Sequence, residues 1–131
     1  MFNGLDHIAI AVSDTQQALS VWRDTLGFPV IHSQVVNEGT VRLTHLDLGN
    51  AQLQLVEPLT SEHPLRRWLE EHGDGLHHIC MRVDEVAAAT PDLSALGLLS
   101  AAAPHEGTQG KRALFLNSAA TGGVQVEITG R

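Results

Sequence analysis

The chain has 131 residues, which is long enough for one domain with a core of its own and too short for two independent ones. Hydrophobic residues make up 43% and charged residues 18%, which excludes a disordered chain, and a net charge of −7 disfavours nucleic acid as a partner. The single cysteine excludes an internal disulfide, and no apolar run approaches the roughly 18 residues that a membrane span requires. Because the N-terminus also lacks a signal-peptide pattern, we expect a cytoplasmic protein that does not bind membranes.

The first half of the chain predicts the order β-α-β-β-β. Residues 5–12 alternate between two faces, which is typical of a half-buried strand. Residues 13–16 match a capping box with Ser13 as N-cap, and Gly27 ends the helix that this box begins. The predicted apolar stripe of the helix is Ala18, Leu19, Trp22 and Leu26, and three strands follow at residues 29–36, 40–49 and 50–58.

The same order begins again at Leu76, so the chain contains an internal duplication. Asp84 is a candidate N-cap for an alanine-rich helix, in which Pro91 predicts a kink or a later start. Strands are expected at residues 99–104, 112–117 and 123–130. We therefore predict a single domain over residues 1–131, with module 1 at about 5–58, a linking helix at about 61–73 and module 2 at about 76–130.

Four polar residues occupy equivalent places in the two modules. His7 and His78 lie in the first strands, and Gln54 and Glu127 lie in the last strands at nearly the same spacing. Strand parity puts each of them opposite the apolar residues of its own strand. Two imidazoles, a carboxylate and an amide oxygen suit a divalent metal ion that keeps open coordination positions.

Several histidines and the cysteine have competing interpretations. A lone histidine on a strand is more often an ordinary polar residue than a ligand. His77 competes with His78 as the ligand, but it has the parity of Ile79, so His78 is favoured. Cys80 shares the parity of His78 and is expected to be a small buried hydrophobic residue. The histidines without a repeat counterpart are assigned to the surface or to loops; they are His32, His45, His63, His72 and His105.

The glycine-rich turn at residues 107–112 lacks the spacing of a phosphate-binding loop and opens a strand instead of a helix. Its Lys111 and Arg112 either contact an anionic group or are solvated in a hairpin turn. Both interpretations stay open at the level of the sequence.

Five segments carry a family resemblance: LDHIAIAVSD, ALSVWRDTLGF, LQLVEP, GDGLHHICMRVD and GGVQVEI. They resemble the vicinal oxygen chelate superfamily, which includes glyoxalases, bleomycin resistance proteins and dioxygenases, and within it the methylmalonyl-CoA epimerases. The resemblance implies an α+β fold in which two paired βαβββ modules form a cupped mixed sheet. It also implies a homodimer and one divalent metal ion per chain, either Co, Mn, Ni or Zn, held by His7, Gln54, His78 and Glu127.

The activity that the resemblance implies is epimerisation of a 2-carboxyacyl-CoA. Chelation of the thioester carbonyl and the neighbouring carboxylate stabilises the enediolate that forms when the α-proton leaves, and reprotonation on the other face inverts the centre. Glu127 is the base that the resemblance offers. Some epimerases carry a second acid after an E-G turn, and Arg42 stands in that place here. Arg42 joins Lys111 and Arg112 as a candidate substrate contact.

Three other activities occur on the same fold. A glyoxalase I-like lactoylglutathione lyase is the first alternative, but its D-P-x-G turn is absent from SAATGGVQVEI. A metal-free binding or resistance protein is the second, and four intact ligand positions argue against it. An extradiol dioxygenase is the third, and it normally uses iron with three protein ligands. The sequence therefore favours a cytoplasmic epimerase with a small acyl-CoA substrate.

Overall fold

The computed structural model describes residues 1–131 and has mixed α+β secondary structure. The order β-α-β-β-β occurs twice, as predicted, with an additional helix between the copies. None of the helices is long and apolar enough to cross a membrane. The strands are β1 (Leu5–Ala11), β2 (Val30–Val36), β3 (Val41–Asp47), β4 (Gln52–Pro58), β5 (Gly75–Arg82), β6 (His105–Glu106), β7 (Arg112–Phe115) and β8 (Val126–Gly130). The α-helices are α1 (Thr15–Leu19), α2 (Pro64–His72) and α3 (Val86–Ala95).

The chain divides into two compact units, one of residues 8–77 and one of residues 1–7 with 78–131. In the 8–77 unit the strands hydrogen-bond in the order β2-β3-β4-β1, with β4 antiparallel to β3 and parallel to β1. In the other unit the order is β1-β5-β8-β7-β6, with β5 parallel to β8. Strand β1 contributes residues to both units, and the single-domain assignment stays a prediction.

Each face of the strands in the 8–77 unit has its own apolar cluster. Ala9 and Ala11 pack with Leu65 and Leu69 of α2, because alternate residues of β1 point to the same face. Ile10 points to the other face and packs with α1. The first strand of the module is therefore buried on both sides.

In the unit of residues 1–7 and 78–131, helix α3 packs on the apolar face of β5, β7 and β8. Val86 and Leu93 of α3 are buried against Leu114 and Ile128. The strand residues that alternate with this apolar set point to the opposite face, where polar side chains collect.

Two helix details differ from the sequence prediction. The N-cap of α1 is Asp14, whose side chain accepts a hydrogen bond from the Gln17 amide, and not Ser13. Residues Ser20–Thr25 continue α1 as a π-helix, which shifts the register of the helix. Leu26 is therefore 51% exposed instead of lying on the apolar stripe.

Three differences also occur in the second module. The strand expected at residues 99–104 is absent, and the short strand β6 forms at His105–Glu106, where it pairs with β7. Helix α3 begins at Val86 and continues through Pro91 to Ala95, so Pro91 does not delay its start. Its N-cap is Glu85, whereas Asp84 accepts a hydrogen bond from Asn3.

Candidate metal and catalytic site

Three buried side chains converge in the unit of residues 1–7 and 78–131. They are His7, His78 and Glu127, and their potential ligand atoms all lie within 4.8 Å of one another. Glu127 Oε1 lies 3.3 Å from His78 Nε2 and 3.7 Å from His7 Nε2. One carboxylate oxygen thus faces two imidazole nitrogens.

Strand alternation brings these side chains to one face. On β8, Val126 and Ile128 pack in the α3 cluster, so Glu127 between them points to the opposite face. Glu127 is paired in register with Cys80 of β5 and with Phe115 of β7. His78 precedes Cys80 by two residues and shares its face.

The donor set fits a divalent transition-metal ion. Two ligand atoms bound at about 2.1 Å to a tetrahedral or octahedral ion lie about 3.0–3.4 Å apart, and the spacings around Glu127 Oε1 are close to this range. Imidazole nitrogen and carboxylate oxygen are ligands that Co, Mn, Ni and Zn accept. His7, His78 and Glu127 are therefore suited to hold such an ion.

The ring of His7 is oriented by a neighbouring carboxylate. His7 Nδ1 lies 2.7 Å from Asp6 Oδ2, so Nδ1 carries the proton and donates a hydrogen bond to the carboxylate. In this tautomer Nε2 holds a lone pair toward the cluster, which is the arrangement that metal-bound histidines use. Lys111 Nζ lies 3.6 Å from Asp6 Oδ1. The ammonium of Lys111 therefore sits beside this carboxylate.

The second oxygen of Glu127 contacts His105, which donates from Nε2 to Oε2 at 2.8 Å. Burial on its own raises the pKa of Glu127, but the hydrogen bond from His105 and the nearby imidazole of His78 outweigh it. The pKa of Glu127 lies well below the usual range for a carboxyl group. Glu127 is therefore ionised at neutral pH and gives the cluster a permanent negative charge.

Residues 6–115 match the Glyoxalase/Bleomycin resistance protein/Dioxygenase superfamily. The chain belongs to this superfamily. The mitochondrial methylmalonyl-CoA epimerase of Mus musculus is 36% identical over 126 residues, which are 95% of this chain and 71% of the relative. The ethylmalonyl-CoA/methylmalonyl-CoA epimerase of Cereibacter sphaeroides is 34% identical, with 98% of both chains covered.

A solved structure is also similar to the chain over nearly its full length. It is a variant of the methylmalonyl-CoA epimerase of Streptomyces coelicolor in complex with 2-nitronate-propionyl-CoA. Its TM-score is 0.88 at 31% identity, and the match covers 99% of this chain and 98% of that one. These likenesses confirm the predicted fold class and the prediction of an epimerase-like enzyme within the superfamily.

Gln54, the fourth predicted ligand, lies in the 8–77 unit. Its amide nitrogen donates to His45 Nε2 at 3.0 Å, and His45 Nδ1 in turn contacts Gln52 Oε1 at 2.9 Å. Because its amide nitrogen makes this hydrogen bond, the carbonyl oxygen of Gln54 is the atom that would bind a metal ion. Its membership of the ligand set stays a prediction.

The side chains of Arg42 on β3 and Gln54 on β4 point to opposite faces of the paired strands. His45 is paired in register with Gln54 and contacts it, and Arg42 is three residues from His45, so the two side chains leave β3 on opposite faces. The residue on the face of His45 at this point of the strand is Leu43, which packs in the α2 cluster. Arg42 and Gln54 therefore lie on opposite faces, and the assignment of Arg42 as a candidate substrate contact stays a prediction. Arg112 is exposed on β7.

Cys80 is completely buried, as predicted. Burial, followed by the nearby carboxylates Glu127 and Asp6, raises the pKa of its thiol far above the ordinary value. The thiol is therefore neutral and serves as a small hydrophobic group on the Glu127 face.

Sequence reasoning missed the role of two histidines. In module 1, the ring paired in register with Gln54 is His45, which stacks on His32 from β2 at a centroid distance of 4.5 Å. In module 2, the ring paired with Glu127 is Phe115, which stacks on His105 from β6 at 5.4 Å. The assignment of these histidines to the surface or to loops is wrong for His45, which is buried on β3, and His105 lies on β6 with a partly exposed side chain. The repeat preserves the stacked pair and exchanges one ring for another. Comparing rings instead of histidines alone would have revealed it.

Proposed function

We propose that this chain is a metal-dependent epimerase of a 2-carboxyacyl-CoA, with methylmalonyl-CoA as the first substrate to test. The observation that carries the proposal is the buried cluster of His7, His78 and Glu127 in a chain whose relatives are methylmalonyl-CoA epimerases. Methylmalonyl-CoA has one acidic hydrogen, on the carbon between the thioester carbonyl and the carboxylate. Loss of this hydrogen as a proton gives a planar anion, and a proton delivered to the other face by water or by an acid other than Glu127 inverts the centre.

His7, His78 and Glu127, with Gln54 as the proposed fourth ligand, would hold the metal ion. A bound divalent cation stabilises negative charge on the substrate oxygens, which lowers the pKa of the α-hydrogen enough for a weakly basic carboxylate to remove it. The ligand of the Streptomyces coelicolor structure is a nitronate, which is also planar at carbon and carries its negative charge on oxygen atoms. This ligand supports a site built for such an anion.

Glu127 is the proposed proton acceptor. It is buried and ionised, so it is in the protonation state that a general base requires. Asp6 keeps the proton of His7 on Nδ1, so that Nε2 retains its lone pair. Lys111 forms an ion pair with Asp6 and offsets its negative charge. We favour this role of Lys111 over a direct contact with the substrate.

The test compares two adjacent histidines. His78→Ala removes a proposed ligand, whereas His77→Ala removes a half-buried ring that contacts Trp68 of α2. Each protein is stripped with a chelator and reloaded with Co²⁺, and deuterium incorporation from D₂O into methylmalonyl-CoA is measured. We expect exchange to return in wild type and His77→Ala and not in His78→Ala. Full exchange by the stripped wild-type enzyme, or by His78→Ala, would contradict the metal site.

A further inference from the structure

We propose that His105 is a positioning residue for Glu127, a role that rests on the proposed function of Glu127 as a metal ligand. A carboxylate on a strand can rotate, and a ligand is effective only when one oxygen is aimed at the ion. His105 Nε2 donates a hydrogen bond to Glu127 Oε2 at 2.8 Å, and the other carboxylate oxygen, Oε1, faces His7 and His78. The hydrogen bond therefore selects which oxygen is presented to the two histidines.

The ring of His105 is itself held in place. It stacks on Phe115 with an interplanar angle of 23° and a centroid distance of 5.4 Å. Phe115 also packs edge-on against His78, at 5.1 Å and 87°. One aromatic ring thus supports both the group that orients Glu127 and a proposed ligand. An orienting residue with a fixed ring loses little side-chain entropy when it makes its hydrogen bond.

Module 1 contains a similar arrangement around Gln54. His45, stacked on His32, accepts from the amide nitrogen of Gln54 and leaves its carbonyl oxygen available. In each module, a histidine thus occupies one polar atom of the last-strand side chain and leaves an oxygen for another partner. In module 1 the contact comes from the ring that is paired in register with the last strand, and in module 2 it comes from the ring stacked on that one, so the two modules reach this arrangement from different positions.

His105 is accessible to substitution, because its side chain is 31% exposed, and two variants separate its donor from its ring. His105→Phe keeps a ring that can stack on Phe115 and deletes the hydrogen-bond donor. His105→Gln deletes the ring and keeps an amide N–H that can reach Oε2. The matched control is His72→Phe, because His72 is an exposed histidine of α2 that stacks on Trp68.

The measurements are Co²⁺ affinity by calorimetry and the visible spectrum of the Co²⁺-loaded protein. We expect His105→Phe to weaken Co²⁺ binding about 10–100-fold, as loss of a residue that orients a ligand usually does, and to change the spectrum. His105→Gln should recover most of the affinity, and His72→Phe should match wild type. A purely structural role predicts a loss in His105→Gln at least as large as in His105→Phe.

The outcomes separate this inference from the proposed function. If wild type binds Co²⁺ and His105→Phe binds it equally tightly, the positioning role is wrong and the metal site stands. If His105→Gln and His105→Phe lose the same affinity, the hydrogen bond is not the cause and the inference is also overturned. If wild type binds no Co²⁺, the proposed metal site fails and the role of His105 fails with it.

Discussion

Replacement of Glu127 by Gln separates its two proposed roles. In Glu127→Gln, the amide oxygen can take the place of Oε1, near His78 Nε2 and His7 Nε2, and the amide nitrogen can take the place of Oε2. That nitrogen then donates to His105 Nε2, which becomes an acceptor by moving its proton to Nδ1. The partly exposed ring of His105 allows this exchange. An oxygen ligand is thus retained, but the negative charge and the proton acceptor are lost.

We therefore expect Glu127→Gln to remain folded and to bind Co²⁺ at saturating concentration, while α-proton exchange falls by about 10²–10⁴-fold, the usual effect of losing a general base. Exchange is measured by mass spectrometry of methylmalonyl-CoA in D₂O, and bound metal is measured on the same samples. Glu106→Gln on β6 is the control, because Glu106 is an exposed carboxylate beside His105. Exchange at the wild-type rate by metal-loaded Glu127→Gln would refute the assignment of Glu127 as the base.

Three further predictions follow from individual contacts. Asp6→Ala removes the acceptor of His7 Nδ1–H and should weaken Co²⁺ binding about 10–100-fold in calorimetry; unchanged affinity would contradict the orienting role of Asp6. In metal-free protein, the lowered pKa of Glu127 stabilises the fold at pH values above about 4.3, the ordinary pKa of a glutamate. This contribution to the free energy of unfolding is lost as the pH falls below that value and Glu127 becomes protonated. The difference in urea unfolding free energy between wild type and Glu127→Gln should therefore narrow in acid, and a constant difference would contradict the depressed pKa. Gly130→Ala should lower the free energy of unfolding in urea by about 1–3 kcal/mol, because a Cβ at this position collides with the carbonyl oxygen of Val83. Gly75→Ala is the control, since its Cβ meets no neighbour and its unfolding free energy should not fall. Equal stability of the two variants would refute the collision.

The elements that the sequence predicts best are those with strong periodicity. Alternation places Val126, Ile128 and Glu127 on the correct faces of β8, and the linking helix predicted at about 61–73 contains α2 at Pro64–His72. Helix α1 is predicted less well, because a π-helical segment shifts its register and periodicity at 3.6 residues per turn does not describe it. Leu26 is exposed for this reason.

The sequence also predicts the proposed ligands better than the residues that orient them. His7, His78 and Glu127 are identified because the duplication repeats their places. Asp6 and His105 are not, because their contacts depend on side-chain rotation and on pairing between β6 and β7. No periodicity of the sequence relates the position of His105 to that of Glu127. The cytoplasmic location and the homodimer stay predictions.

The central claim is tested most directly by comparing two substrates with one protein. Wild-type protein loaded with Co²⁺ is incubated in D₂O with methylmalonyl-CoA, and separately with the hemithioacetal of glutathione and methylglyoxal. We predict rapid deuterium incorporation at the α-carbon of methylmalonyl-CoA together with inversion of that centre, and no isomerisation of the hemithioacetal. Isomerisation of the hemithioacetal without exchange of the methylmalonyl-CoA α-proton would contradict the epimerase assignment.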